Sequence, residues 1–284
     1  GNTGIRFAEA SNGGTVQFNS TVAITNGGTG TANYIGIAHG GNINTVNFNG
    51  DLTITQNNTG TSASVVIGNL STINLNGNVV ISNTSGNSSQ VMFGQSGGSV
   101  TLATGKTISI GGTGFNNGTL YLRRFTQNGT TAQTLTLTGN AGLYYGPGST
   151  FNGNITSSSP TLFLNGATFN GTTNLAKTGN TGDNGVGGNI FNGVTTISNS
   201  GTNYLALGQT SPDTFNNDVT FTNTGTDRLL PAWNTAGNVF NGNIYLNTSG
   251  TGTGIHFCGS GPATATLAAT KTIAIGGGGF GAGY

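Results

Sequence analysis

The sequence has very little charge, and this scarcity excludes several classes of function. Its 284 residues include 7 Lys and Arg and 6 Asp and Glu, so 5% of the chain is charged, against about 25% in a typical soluble domain. The net charge is +1 and no basic patch is present, so nucleic acid is not an expected partner. No apolar run approaches the ~18 residues that a membrane span needs, so none is predicted.

Cysteine and helix-forming segments are also scarce. Cys258 is the only cysteine, which rules out an intrachain disulfide. The 53 glycines disfavour helices, because Gly costs about 1 kcal/mol per helical position relative to Ala. Apolar residues still make up 33% of the chain and recur at fixed offsets, which is untypical of disorder. Thr, Val, Ile and Phe favour strands while Asn and Gly favour turns, so an all-β fold is expected.

What the sequence does contain is one short phrase, repeated many times: an apolar residue, then Asn, then usually Gly, then a strand-like segment. Stacked amides can satisfy one another because each has two donors and two acceptor lone pairs. The glycine is expected to supply a positive φ for a bend, and the apolar residue to form a core column. The predicted ladder of corner asparagines comprises Asn19, Asn49, Asn76, Asn152, Asn165, Asn170, Asn192, Asn216 and Asn241.

The spacing of the phrase predicts a solenoid. Phe48 to Leu75 is 27 residues and Phe215 to Phe240 is 25, and fixed periods of about 20–50 residues indicate solenoids, propellers or arrays. The prediction is a parallel β-helix, right-handed and three-sided, with about 11 coils of ~24–30 residues that form one continuous solenoid over residues 1–284.

Each repeat holds three strand-like pieces with alternating apolar residues. In one repeat the first piece is 45–48, which ends in the phrase, the second is 52–55, which follows its glycine, and the third is 65–68.

Residues 111–178 are less regular. There, 120–125 is interpreted as a third strand and 134–138 as a first strand. The phrase also recurs after only 13 residues, from Phe151 to Leu164, which either short coils or two phrases at two corners of one coil would explain.

A longer repeat overlies the coils. Residues 101–118 match residues 266–283 at 12 of 18 positions, at an offset of 165 residues. Both ends of the sequence look like interior coils without the polar caps that solenoids use. We therefore expect the sequence to be part of a longer repeat protein.

Two sets of residues are candidates for chemistry. Asp213, Asp218 and Asp227 fall in one coil with Arg228, and β-helix lyases and glycosidases need clustered carboxylates. The alternative, which we favour, is a turn residue, a strand-start residue and a local ion pair; the other acids are Glu9, Asp51 and Asp183.

The second set consists of histidine and cysteine, the residue types that can act as nucleophiles, general bases or metal ligands. His39 and His256 are interpreted as surface residues. Cys258 is interpreted as a small residue, in the register of Ala8, Ala38, Gly68, Gly94 and Gly208. No catalytic residue, metal site or cofactor is predicted.

Outward aromatic residues could stack on sugar rings. Trp233, Tyr144 and Tyr245 are the predicted glycan contacts, and the adjacent Arg123 and Arg124 are candidates for contact with an anionic polymer.

Three features of the sequence carry a resemblance: the Phe-Asn-Gly phrase, the TLAxxKTIxIGG block, and the segment FTQNGTTAQTLTLTG at 125–139. They resemble large β-strand-repeat surface exoproteins of Gram-negative bacteria, which are adhesin-like proteins with autotransporter-passenger-like β-helices. The resemblance implies secretion, an extracellular or cell-surface location, and a structural role in adhesion, matrix or filament formation. Self-association or end-to-end continuation would be the partner interaction, with surface glycans as possible further partners. The alternative functions are a carbohydrate-binding module and a polysaccharide lyase or hydrolase.

Overall fold

The computed structural model describes residues 4–8, 13–30, 32–39, 45–60, 62–85, 89–249 and 254–276. Strands, bends and turns account for all regular structure in these ranges. None of the described residues therefore lies in a helix that could cross a membrane.

The described ranges contain short strands that recur in a fixed order along the chain. Their bounds are β1 Gly4–Phe7, β2 Thr15–Phe18, β3 Val22–Asn26, β4 Ala32–Ile37, β5 Thr45–Phe48, β6 Leu52–Gln56, β7 Ser62–Ile67, β8 Thr72–Leu75, β9 Val79–Asn83, β10 Gln90–Phe93, β11 Ser99–Leu102, β12 Ile108–Phe115, β13 Thr119–Leu122, β14 Phe125–Gln127, β15 Gln133–Thr136, β16 Gly142–Tyr145, β17 Thr150–Phe151, β18 Ile155–Ser159, β19 Thr161–Leu164, β20 Thr168–Phe169, β21 Thr173–Lys177, β22 Asp183–Asn184, β23 Ile190–Phe191, β24 Thr195–Asn199, β25 Leu205–Ala206, β26 Thr214–Phe215, β27 Val219–Asn223, β28 Leu229–Leu230, β29 Asn238–Phe240, β30 Ile244–Thr248, β31 Ala265–Leu267 and β32 Ile273–Ile275.

The chain divides into two compact units, Gly1–Gly153 and Asn154–Tyr284. In the first unit the strands that end in the phrase form one parallel sheet in the order β2-β5-β8-β11-β14-β17. The strands that follow the phrase form a second sheet, β3-β6-β9-β12. The third strands form the sheet β1-β4-β7-β10-β13-β16. Three parallel sheets with one strand per coil make a three-sided β-helix, as predicted.

The second unit repeats this plan. Its first strands pair in parallel as β20-β23-β26-β29-β31, and its second strands as β18-β21-β24-β27-β30-β32. The third strands shorten to the pairs of residues in β22-β25-β28, and Asn165, the residue after β19, forms an isolated parallel bridge with Gly187, which follows β22.

The core consists of inward rows in which each side chain lies on its equivalent in the next coil. In the second unit the phrase phenylalanines stack with ring centroids 5.1, 4.7 and 5.0 Å apart and interplanar angles of 3, 7 and 3°. Each is at most 2% exposed, and full burial of such a side chain contributes about 1.5–3 kcal/mol. The column comprises Phe169, Phe191, Phe215 and Phe240.

The structure corrects the expected role of the phrase glycines. Gly50, Gly77, Gly193 and Gly242 are not among the residues with positive φ. They are needed because the coils approach too closely for a side chain: a Cβ at Gly193 would lie 2.2 Å from the backbone oxygen of Gly171, and one at Gly242 only 2.2 Å from a backbone carbon of the preceding coil. The constraint comes from the neighbouring coil rather than from the local bend.

Positive φ is instead found at the corner after the third strand. Ala8, Ala38 and Cys258 have φ of 55, 53 and 50°, and Gly68 and Gly94 have 73 and 67°. This is the register in which the sequence predicts small residues, including Cys258, and the prediction is confirmed. A side chain in this left-handed conformation costs roughly 1–2 kcal/mol unless the residue is Gly, which explains why the corner favours Gly, while Ala8, Ala38 and Cys258 bear that cost.

Two strand assignments in the irregular stretch are wrong. The predicted third strand 120–125 is divided, because the chain turns at Arg124, where φ is 45°, and Phe125 begins β14. The predicted first strand 134–138 corresponds to β15, which lies beside β12 among the second strands. An arginine at a corner and a glutamine in the phrase register of β14 concealed this turn from the sequence pattern.

The two closely spaced phrases at Leu164 and Phe169 lie at two corners of one coil. β19 ends at Leu164 and bridges to the third-strand column, whereas β20 ends at Phe169 in the first-strand sheet. Gly166 accordingly has the positive φ, 73°, of the third-strand corner. Of the two explanations that the spacing left open, two corners of one coil is the correct one for this pair.

We predict that Gly193→Ala destabilises the protein by ~1–3 kcal/mol or more, because the new methyl group would overlap the backbone of the coil below. The matched control is Gly112→Ala, since a Cβ at Gly112 meets nothing within 4 Å and its φ is not positive. Chemical denaturation of both variants would check this, and equal stabilities would contradict the close-approach argument.

Candidate functional site

The predicted amide ladder is present on the exposed surface of both units. In the first unit Asn49 Nδ2 donates to Asn19 Oδ1 at 2.8 Å, and Asn76 Nδ2 donates to Asn49 Oδ1 at 2.9 Å. The ladder is therefore confirmed at these three asparagines. A side chain without a hydrogen-bonding group cannot continue the ladder, and Ala103, at the place after Asn76, ends this run.

In the second unit the ladder runs through four coils. Asn192 donates to Asn170, Asn216 to Asn192 and Asn241 to Asn216, with N–O distances of 2.7, 2.7 and 2.8 Å. Ala268 takes the next place. These contacts confirm four more of the predicted members.

The other two predicted members have contacts with backbone groups. Asn152 Nδ2 donates to the backbone oxygen of Gln127 at 2.8 Å. Asn165 lies at the third-strand corner, where it pairs with Gly187, because its phrase belongs to β19. Sequence spacing alone could not separate this corner from the other, since the three letters are identical.

Asp213, the first of the candidate catalytic carboxylates, belongs to a second, buried column. It is 1% exposed. Asp213 Oδ1 accepts from the backbone N of Asn189 at 2.9 Å and from its Nδ2 at 2.8 Å, and the Asp213 backbone N donates to Asn238 Oδ1 at 2.9 Å. The carboxylate thus substitutes for one amide in a column of asparagines.

Burial raises the pKa of Asp213 to about 6, and the hydrogen bonds from Asn189 oppose this shift. The carboxyl is closed in by the coil above and the coil below, so it has no route to a bound polymer. Its geometry agrees with the turn-residue interpretation.

The other two candidate carboxylates lie elsewhere on the coil. Asp218 precedes β27, and its Oδ1 accepts from the backbone N of Asn243 at 2.8 Å and from Asn243 Nδ2 at 3.2 Å. Asp227 Oδ1 accepts from Arg228 Nε at 3.1 Å. The fold therefore does not bring the three carboxylates together in one cluster, and each fills the structural place that the alternative interpretation assigned to it.

The remaining acids are also accounted for where they are described. Asp51 Oδ1 accepts from the backbone N of Asn78 at 2.8 Å, a contact of the same kind as the one that Asp218 makes in its own unit. Glu9 lies outside the described residues.

Sequence reasoning missed a buried pair of charged residues in the second unit. Lys177 and Asp183 are both 0% exposed. Lys177 Nζ donates to the backbone oxygens of Gly179 at 2.6 Å and Asn203 at 3.2 Å. It occupies the inward register of Asn199 and Asn223 at the end of the second strand, and this register is the signal that could have revealed it.

The two buried groups influence each other. Desolvation lowers the pKa of Lys177, and the charges of Asp183 and Asp227 oppose that change. Desolvation raises the pKa of Asp183 to about 6, against the hydrogen bond from Leu162 N and the charge of Lys177. Both groups serve the corner between second and third strands, where the chain must satisfy backbone atoms without water.

The histidines and Cys258 do not converge on a site. His39 packs edge-on against Tyr34, with ring centroids 4.9 Å apart, and His256 follows the bridge of Ile255 to Leu229. Burial raises the pKa of the Cys258 thiol, which disfavours a reactive thiolate. Within the described ranges no three His, Cys, Asp or Glu side chains could hold a metal ion together.

The predicted glycan contacts do not converge within either unit. Tyr245 is outward on β30 in the second-strand sheet and is 37% exposed. Trp233 follows β28, and its ring covers Gly259, where a Cβ would lie 2.1 Å from it. Tyr144 is on β16 of the other unit, so these residues do not form one platform within either unit.

Tyr144 instead joins the arginine pair that the sequence analysis treated separately. Tyr121 and Tyr144 are register partners on β13 and β16, with ring centroids 5.1 Å apart. The guanidinium carbon of Arg123 lies 4.5 Å from the Tyr121 centroid and 4.7 Å from the Tyr144 centroid. We name Tyr121, Arg123 and Tyr144 the Tyr–Arg cluster.

The chain was compared with known protein families, curated proteins and solved structures. Neither family models, nor curated proteins, nor solved structures yield a match to this chain.

We predict that Asn192→Ala destabilises the protein by about 1–2 kcal/mol, because it removes two ladder hydrogen bonds that each contribute about 0.5–1.5 kcal/mol. Asn174→Ala, at an exposed asparagine on β21 outside the ladder, is the matched control and should change stability by no more than about 0.5 kcal/mol. Urea denaturation measures both. Equal free energies of unfolding for the two variants would show that the ladder hydrogen bonds do not stabilise the fold.

A second prediction concerns pH. The folded-state pKa of Asp213 is about 6, above the ordinary value of 3.8, so the native state binds this proton more tightly than the unfolded chain. The free energy of unfolding should therefore be greatest at low pH and fall as pH rises from about 4 to about 6, by about 3 kcal/mol for this group.

Asp213→Asn should remove this part of the pH dependence, while the part due to Asp183 remains. Denaturation of wild type and variant at pH 4, 5, 6 and 7 provides the comparison. A variant whose stability changes with pH as steeply as wild type would contradict the assignment.

Proposed function

We propose that this chain is a structural, non-enzymatic protein of the extracellular space or bacterial cell surface. It forms a stiff β-helical stalk or fibre that serves adhesion, matrix or filament formation. The observation that carries the proposal is the column-wise repetition of the fold: Asn on Asn at 2.7–2.9 Å and Phe on Phe at 4.7–5.1 Å. Each added coil adds one more contact of each kind, so these contacts lengthen a rod and do not enclose a reaction site.

The placement of the candidate carboxylates supports a non-enzymatic role. A retaining glycosidase needs two carboxyl groups about 5–5.5 Å apart and an inverting one about 6.5–9.5 Å, both open to substrate. Asp213 is buried, and Asp218 and Asp227 are engaged by Asn243 and Arg228.

End-to-end association is supported by the apolar rows at the first and last described coils. Ile5 and Phe7 are 57% and 49% exposed in β1, whereas Ile35 in the next coil is 7% exposed. In the second unit Ile273 and Ile275 of β32 are 56% and 55% exposed. Exposed apolar rows of this kind can be covered by a further coil, whether it comes from the same chain or from a second copy.

A small cavity of about 220 Å³ lies among these residues of the first coils. It is lined by apolar side chains that include Ile5, Phe7, Phe18, Ile24 and Phe48. A further parallel coil would fill it with the same aliphatic and aromatic rows that fill the interior.

We predict that the purified chain forms filaments in a concentration-dependent way, with axial layering of ~4.8 Å in electron diffraction. Phe7→Asp should reduce filament formation because it places a charge in the apolar row. Thr15→Asp, which adds the same charge at an exposed outward position of β2, is the control. Wild-type chain that stays monomeric at all concentrations, by light scattering and electron microscopy, would contradict end-to-end assembly.

A further inference from the structure

We propose that the Tyr–Arg cluster, together with Arg124, binds an acidic polysaccharide through the carboxylate or sulfate of one of its sugars. The inference deepens the adhesive part of the proposed function by naming the class of ligand. It does not require that filaments form, because the cluster lies wholly within the first unit.

The geometry leaves the arginine ready to receive an anion. Its guanidinium carbon lies over the two tyrosine rings, 4.5 and 4.7 Å from their centroids. Cation–π contact uses the face of a guanidinium, whereas its hydrogen-bond donors point outward in the plane. Arg123 Nε is buried and has no hydrogen-bond partner among the described residues. A carboxylate or sulfate that accepts two parallel hydrogen bonds from the outer nitrogens of this guanidinium would supply its charge partner.

The local charge is uncompensated. Within the described residues, no carboxylate forms an ion pair with Arg123 or Arg124, and Asp51 is the only acid of the first unit besides Glu9. In a chain with 5% charged residues, two adjacent arginines are the densest positive charge in the sequence. Partly desolvated cations without a counter-charge attract anions more strongly, because the Coulomb energy rises as the local dielectric constant falls.

The surrounding backbone is shaped to hold Arg123. A Cβ at Gly146 would lie 2.4 Å from Arg123 Cγ and 2.9 Å from Tyr144 Cε1, so the missing side chain makes room for the arginine stem. Arg124 has φ of 45° at a corner where other coils place Gly or Ala. Non-glycine residues in this region are strained, and such strain concentrates at functional sites.

A sugar polymer fits the cluster better than the other anionic polymers. The tyrosine hydroxyls and the neighbouring Thr119 on β13 offer hydrogen bonds to sugar hydroxyls around the anion. Nucleic acid would need a much larger basic surface than this chain carries. An acidic peptide supplies carboxylates but no ring of hydroxyl groups, and it becomes an outcome of the test.

The experiment measures binding of the full 284-residue chain to four immobilised polymers: polygalacturonate, dextran sulfate, neutral dextran and polyglutamate. We expect binding to polygalacturonate, to dextran sulfate, or to both, and the two arms distinguish a carboxylate from a sulfate. Arg123→Gln should weaken this binding about tenfold or more, since a charge-assisted bidentate contact is lost.

Two variants separate the cluster from general electrostatics. Gly146→Ala changes no charge but displaces the Arg123 stem, so it should also weaken binding. Lys106→Gln removes a cation elsewhere in the first unit and should change affinity by less than about twofold. Thermal melts of all variants establish that each is folded.

Three results would overturn the proposal. They are binding to neutral dextran or polyglutamate as tight as to the acidic polysaccharides, equal losses for Arg123→Gln and Lys106→Gln in folded protein, and no binding of wild type to either acidic polysaccharide. Because binding is read out on monomeric or filamentous protein alike, a failure here is distinguishable from a failure of filament formation.

Discussion

The structure depends on one constraint: each coil must lie directly on the next at the spacing of paired β-strands, about 4.8 Å. Backbone hydrogen bonds, amide ladders and phenylalanine stacks all share that spacing. The Phe169–Phe191–Phe215–Phe240 centroids are 4.7–5.1 Å apart, and the amides that follow them donate over 2.7–2.8 Å. The same constraint explains why Gly193 tolerates no Cβ, since the backbone of the preceding coil occupies that volume.

The constraint also governs how the interior treats polar atoms. At each corner the chain is covered by the adjacent coils. Because water cannot reach the backbone N–H and C=O groups there, these groups need hydrogen-bond partners inside the protein. Asn199 and Asn223 meet this need with side-chain amides. Lys177 and Asp213 perform similar tasks with a charged group, and their altered pKa values record the cost of burial. The buried charges of Lys177 and Asp213 are thus explained by the hydrogen bonds that they form in columns shared with asparagines.

The features that repeat from coil to coil could be predicted from the sequence. The predictions were wrong where a residue of an unusual type takes a place in a column, or where the same phrase occurs at a different corner. Coil spacing, the three strands per coil and seven of the nine ladder asparagines follow from the repeated phrase. The turn at Arg124 and the corner of Asn165 were not predictable, because identical letters occupy different corners. The Tyr–Arg cluster arises from residues 23 positions apart, Tyr121 and Tyr144, that only the register of β13 and β16 brings together.

A protein of this kind is stabilised by contacts between adjacent coils rather than by contacts within a single coil. The inward apolar side chains of a coil are buried only when neighbouring coils stack on it, so an isolated coil cannot offset the conformational entropy lost on ordering its backbone. The most direct test is circular dichroism of a peptide covering one coil, residues 189–212, beside the full chain. We predict strand signal in the full chain and a disordered spectrum for the peptide in dilute solution. A peptide that folds into strands as a monomer would contradict the account.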